Sequence, residues 1–153
     1  MRVGLIADTH GLLRPQALDA LRGSDRIVHA GDIGDPAILA ALSALAPLTA
    51  VRGNNDAGAW AQRLPEAARV ECAGVTVCVL HDRKTLEIDP ARECIGVVVA
   101  GHSHRPLVEP RGAVLYVNPG SAGPRRFRLP VTVGELRIDG GRALARIIEL
   151  AIA

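Results

Sequence analysis

Three short strand-like runs in the first third of the chain restrict its fold more than any other feature: Val3-Gly4-Leu5-Ile6-Ala7, Arg26-Ile27-Val28-His29-Ala30 and Leu48-Thr49-Ala50-Val51. Each is too short for a buried helix, and apolar residues at successive positions are the pattern of a strand covered on both faces. The segments between them carry helix punctuation. Pro15 suits a first helical turn, Leu18 and Leu21 its inner side, and Gly23 its end. Asp35 is a candidate N-cap with Pro36 behind it; Ile38, Leu42 and Leu45 recur at i, i+4 and i+7, and Pro47 stops the segment. The order strand, helix, strand, helix, strand predicts right-handed crossovers and a parallel sheet core.

The second half has a different rhythm. Arg69 to Cys72 and Val75 to Leu80 flank Ala73-Gly74 as a hairpin, a further strand runs from Ile95 to Ala100, and Val114 to Val117 leads into Asn118-Pro119-Gly120-Ser121. Val131 to Ile138 and Ala143 to Leu150 form a second hairpin around Asp139-Gly140-Gly141. A mixed α/β layered fold is therefore expected, with residues 1–153 as one domain that needs no disulfide. Cys72, Cys78 and Cys94 lack C-x-x-C spacing and are expected as buried, reduced thiols. The longest apolar candidate for a membrane span, Ala37 to Val51, is broken by Ser43 and Pro47, and Val3 to Ala7 is too short for a signal-peptide core. The chain reads as cytoplasmic.

Chemistry collects where these runs end. Asp8 and His10, Asp32, Asn54, His81, and His102 and His104 each follow an apolar run by one to four positions. Ligands of open α/β sheets gather outside the carboxyl ends of the strands, so donors dropped there by five strands would build one site. Of the five histidines in the chain, only His29 sits inside its strand, where it is expected as a satisfied core residue. Alternation along an extended backbone would put His102 and His104 on one face, suited to one metal or two neighbouring ones. Two carboxylates, four imidazoles and an amide oxygen exceed the needs of a single zinc-like ion and suit a two-metal centre. Two divalent ions against Asp8 and Asp32 would leave the centre cationic and attractive to phosphate. A net charge of +2 and an aromatic content of 2% lack the basic stripe and stacking rings of a nuclease acting on long nucleic acid.

The ordered set Asp8-Thr9-His10, Gly31-Asp32, Gly53-Asn54-Asn55-Asp56, His81, Gly101-His102-Ser103-His104 and Asn118-Pro119-Gly120-Ser121 resembles the calcineurin-like metallophosphoesterases, and within them the small YfcE-like phosphodiesterases. The resemblance implies two packed mixed β-sheets flanked by helices, a four-layer sandwich. It implies one metal held by Asp8, His10, Asp32 and His104 and another by Asp32, Asn54, His81 and His102, with Asp32 as the bridge. The implied activity is a dinuclear phosphodiesterase in which a metal-bridging hydroxide attacks phosphorus. Manganese is the first choice of metal, with nickel, zinc or iron also compatible with these donors. The expected substrate is a small phosphodiester or nucleotide, and the family often forms homo-oligomers.

Asp32, Asn54, Asn55 and Asp56 are the catalytic candidates. Many family members carry a histidine where Asn55 stands; an amide cannot protonate a leaving group, so activated esters are the expected substrates. Asp82 stands where the subfamily usually has glycine after the ligand histidine, and is expected either to narrow the site or to add a carboxylate near the second metal. Asp56 either orients a ligand or His10, or caps a turn. Arg125 and Arg126 are either phosphate-holding or solvated, and Trp60 is expected to pack. The Asn118 to Ser121 turn is expected to support the site. A rival reading is a scaffold of the same fold, as in a eukaryotic retromer subunit that serves as an interaction surface.

Overall fold

A computed structural model describes residues 1–152. Its first sheet grows from the strand-helix alternation: β1 (Arg2–Ile6), α1 (Pro15–Leu21), β2 (Arg26–His29), α2 (Pro36–Ser43) and β3 (Leu48–Ala50). β1 pairs parallel with β2, and β2 with β3. The chain returns at its end as the hairpin β9 (Thr132–Asp139) and β10 (Arg142–Glu149), and β9 lies antiparallel against β1. A short helix, α3 (Ala59–Gln62), follows β3.

The second sheet comes from the middle of the chain, in the order β4 (Ala67–Cys72), β5 (Val75–Leu80), β6 (Ile95–Val99), β8 (Val114–Asn118), β7 (Leu107–Arg111). β4–β5 and β7–β8 are antiparallel hairpins; β5–β6 and β6–β8 are parallel. Both sheets have five strands and both are mixed, as the resemblance implied. β7 has no clear sequence signal, because Pro110 interrupts it. An edge strand tolerates a residue with no N–H to donate, and β7 is an edge.

Period-two alternation divides the apolar residues between layers. Val3, Leu5, Ala7, Val28 and Ala30 face Val77, Val79, Val97, Val99 and Val117 across the inter-sheet core. Ile6 and Ile27 point the other way and meet Ala17, Leu21, Ile38 and Leu42 of α1 and α2. Ala17 takes the inner place expected of Leu18, which is half-buried at the rim. Trp60 packs at the edge of this layer. The outer face of the second sheet has a thinner cover. Leu86 and Ile88 lie against Cys78, Leu80, Ile95 and Val98, and among the described residues the regular element there is a single 3₁₀ turn, Arg83–Thr85.

Cys72 and Cys78 are buried as expected, but Cys94 is exposed. It stands one position before β6 with φ +57°, in the turn that enters the strand, and so escapes the burial that its strand neighbours share. His29 is a core residue: its Nδ1 accepts from Gly31 N at 3.1 Å and its Nε2 meets Thr9 Oγ at 3.0 Å. No helix among the described residues is long and apolar enough to cross a membrane.

Candidate metal centre

The residues that end β1, β2 and β6 turn sharply rather than continuing as strands. Asp8, His10, Asp32, His102 and His104 have φ of 54°, 46°, 56°, 71° and 63°. Left-handed backbone is unfavourable for a side-chain-bearing residue by about 1–3 kcal/mol, and it persists only where the surroundings over-determine it. Here the loops are sewn together. Asp8 N donates to Gly31 O and His10 N to Asp32 O, which extends the β1–β2 pairing past both strand ends. Asp56 accepts from Ile33 N, Gly34 N and Gly53 N at 2.9–3.0 Å, tying the loop after β3 to the loop after β2. Its carboxylate is thus given to the backbone, and Asp56 is a loop clamp.

Close approach also demands small residues. A Cβ on Gly53 would stand 2.1 Å from Asp32 N, and one on Gly31, whose φ is +98°, 2.7 Å from His81 Nδ1. Both glycines let a neighbouring donor residue sit against bare backbone.

The same turns separate His102 from His104. Neither lies in extended backbone, so alternation does not put them on one face. His104 is buried, with Nε2 3.3 Å from His10 Nε2 and 3.6 Å from Asp8 Oδ1. His102 is half-exposed, with Nδ1 3.2 Å from Asn54 Oδ1 and 3.3 Å from His81 Nε2. Asp32 Oδ2 faces both groups, 3.7 Å from His10 Nε2 and 3.2 Å from His81 Nε2. All seven residues singled out in the sequence as metal donors thus meet at one end of the sandwich, where strand ends of both sheets come together. Asp8, His10 and His104 form one cluster, and Asp8, Asp32 and His81 a second, with donor atoms in each within 4.8 Å of one another.

His81 Nδ1 lies 2.8 Å from the Ala30 carbonyl, so it carries a proton, and His81 Nε2 is left aimed at Asp32. Asp8 Oδ1 is buried with no hydrogen-bond partner. An orphaned carboxylate oxygen ringed by imidazole nitrogens at 3.6–4.0 Å is what a shared cation would satisfy. The donor set therefore fits divalent ions.

Protonation tells the same story. Burial pushes the Asp8 carboxyl up to about 7, against the opposing charge of His81. Burial pulls His104 down to about 4, helped by Arg126 and His10, which leaves its imidazole in the neutral, ligating form. Burial also lowers His10. At Asp32 burial opposes ionisation, but hydrogen bonds from His81 and Asn55 outweigh it and hold the carboxyl well below its usual range. His81 moves the opposite way: burial disfavours its charge, yet Asp32 and the Ala30 carbonyl raise it. A proton on His81 Nε2 thus balances the acidic pair when no ion does.

Asn55 binds only Asp32, through N at 2.9 Å and Nδ2 at 3.0 Å. Asp82 Oδ2 lies 3.8 Å from His102 Nε2, on the side of that ring away from Asn54. The Asn118 to Ser121 turn supports the site as expected, and Thr9, to which sequence reasoning assigned no such role, braces it too. Ser121 Oγ donates to Asp8 O, Asn118 Nδ2 donates to Gly101 O and Ser103 Oγ, and Thr9 Oγ donates to Ile33 O. Their partners lie 15 to 113 positions away, and nothing local marks such pairs.

Residues 1–141 match the family model described as calcineurin-like phosphoesterase superfamily domain. The chain is 34% identical over 161 residues to a probable metallophosphoesterase of Methanothermobacter thermautotrophicus, covering 97% of this chain and 92% of that one. Among solved structures, it superposes on a novel archaeal phosphodiesterase with a TM-score of 0.80 at 22% identity, covering 97% of this chain and all of that one (100%). It also superposes on wild-type Vps29 of Entamoeba histolytica complexed with zinc, with a TM-score of 0.74 at 22% identity over 97% of this chain and 99% of that one.

Proposed function

The chain belongs to the calcineurin-like phosphoesterase superfamily, and from that premise we propose that it is a dinuclear metal-dependent phosphodiesterase acting on small phosphodiesters or nucleotides. The observation that carries this reading is the convergence, from both sheets, of His10, His81 and His104 on the buried, unpartnered Asp8 Oδ1, with Asp32 facing His10 and His81 and with His102 and Asn54 beside His81. Asp8, His10, Asp32 and His104 would hold one ion, and Asp32, Asn54, His81 and His102 the other. Two divalent ions, manganese by preference, would supply Lewis-acid activation of water and charge stabilisation of the phosphoryl oxygens.

The chain's own residues supply orientation. Asp32 is kept ionised by His81 and Asn55, and the Ala30 carbonyl fixes the ring of His81. His102 and Asn54 are the exposed members of the set, so a diester enters from their side, while Asp8 and His104 close the bottom. The Arg126 charge acts on Asp8, His10 and His104, and draws a phosphate toward them. Asn55 offers an amide already committed to Asp32, so no proton reaches the leaving group from that position.

The test is metal analysis of the purified protein, then hydrolysis of bis(p-nitrophenyl) phosphate before chelation, after it, and after return of Mn²⁺. Turnover that chelation abolishes and manganese restores is the expected result. The scaffold reading draws support from the fold shared with Vps29; a protein that takes up no metal and cleaves no diester would favour it instead.

A further inference from the structure

A second cavity opens beside the metal centre, on the outer face of the second sheet. It measures about 480 Å³, within the roughly 300–1,000 Å³ of small-molecule sites. Its floor is apolar: Val98 is buried beneath it, with half-buried Tyr116 and the exposed Leu107 alongside. His102 forms the wall it shares with the metal centre, since one edge of that ring faces Asn54 and His81 and the other faces Asp82.

The cations around the rim differ in their commitments. Arg83 is tied to Glu109 at 3.4 Å and lies over the Tyr116 ring, 5.2 Å from its centroid. Asp82 caps Lys84 N. Lys84 and Arg105 have no ion-pair or hydrogen-bond partner for their charged ends among the described residues; only their backbone N–H groups are engaged. Two uncommitted cations above an apolar floor fit a ligand with an apolar body and a strongly anionic end.

We propose that this cavity binds an organic phosphate monoester as the departing half of the substrate, so that the enzyme's preferred phosphodiester is a pyrophosphodiester such as a nucleotide anhydride. This rests on the phosphodiesterase reading above. The missing leaving-group acid is its second support. An alkoxide leaving from a simple diester needs a proton, which Asn55 cannot give; a phosphate monoester leaving from an anhydride does not. In the balanced step, water oxygen bonds to the attacked phosphorus and that phosphorus parts from the bridging oxygen. The electron pair stays on the bridging oxygen, which becomes the fourth oxygen of the departing phosphate. Two phosphate monoesters result, and the two water protons pass to solvent. Lys84 and Arg105 meet the dianion as it forms, and its organic body lies on the apolar floor.

Lys84 is the single lysine of the chain, which gives the proposal a readout besides turnover. In the manganese-loaded protein, saturating adenosine 5′-monophosphate is expected to protect Lys84 from amine-selective acetylation, read by mass spectrometry, at least about fivefold better than inorganic phosphate or adenosine. In kinetics, Lys84→Ala and Arg105→Ala are each expected to lower the ratio of kcat/KM for diadenosine pyrophosphate over bis(p-nitrophenyl) phosphate by about tenfold, mainly through KM, and Lys84→Arg to restore it. An unchanged ratio, equal labelling with and without the monophosphate, or full protection by inorganic phosphate alone would overturn the subsite. If the protein still cleaved the aryl diester in those cases, the phosphodiesterase reading would stand. A metal-loaded protein that cleaves no diester would remove both.

Discussion

Asp8 holds a carboxylate where nothing hydrates it and no hydrogen bond reaches one of its oxygens. Asp8→Asn keeps the shape and removes the charge, so the fold should survive while bound metal and diester hydrolysis fall at least about 100-fold, checked by metal analysis and turnover. The pH dependence follows from the same residue. A folded carboxyl raised to about 7 favours the metal-free fold below its unfolded value near 3.8, and that contribution is lost as pH climbs through 7. A bound ion needs the proton gone. The rise in melting temperature on adding Mn²⁺ should therefore be small at pH 5.5 and large at pH 8. Asn55→His restores a proton donor; it should speed an unactivated alkyl diester about 10²-fold and p-nitrophenyl diesters far less, which a leaving-group series would read. At this scale the sequence marked which side chains gather at one place, because each follows an apolar run. It left Asp56 open between orienting a ligand and capping a turn, and the structure takes the second, with the carboxylate on three backbone amides; it did not reveal that Cys94 is exposed, the outcome of a turn with no local signature.

Loops, more than strands, fix the geometry of the centre. Asp56→Ala would leave three N–H groups of two loops without an acceptor. It should destabilise the protein by about 2–4 kcal/mol in denaturant melts, with metal affinity reduced alongside because Asp32 lies between the freed amides. The strand-helix alternation of residues 2–50 was readable because two-sided burial leaves continuous apolar runs and Pro and Asp punctuate the helices. The β4–β5 and β9–β10 hairpins were equally plain from their Gly-bearing turns. β7 was not, since an exposed edge strand carries neither an apolar run nor a Pro-free interior. The alternation argument for His102 and His104 failed for a related reason: positive φ at both residues breaks the period of two.

Among the described residues, a charged side chain outside the site is buried at Glu135. Glu135, in the central part of β9, is almost fully enclosed and bonds Arg2, Arg137 and Arg146 at 3.0, 2.7 and 3.2 Å. Burial opposes its charge, yet these three cations hold its carboxyl down to about 2. A depressed carboxylate stabilises the fold above its unfolded value of 4.5 and loses that contribution as pH falls toward 2. Glu135→Gln should flatten the acid limb between about pH 5 and 2 and cost about 1–3 kcal/mol at pH 7, a figure reduced by the partial exposure of the arginines. The pairing of this interior strand with its charged neighbours was invisible in sequence, where Glu135 reads as an ordinary solvent-facing position. The donors themselves are divided between the sheets: Asp8, His10, Asp32 and Asn54 follow strands of the first, and His81, His102 and His104 follow strands of the second. Neither half of the sandwich owns a working set. Ions lodged there would act as rivets through the seam, so slippage of one layer past the other would silence hydrolysis before either layer came undone.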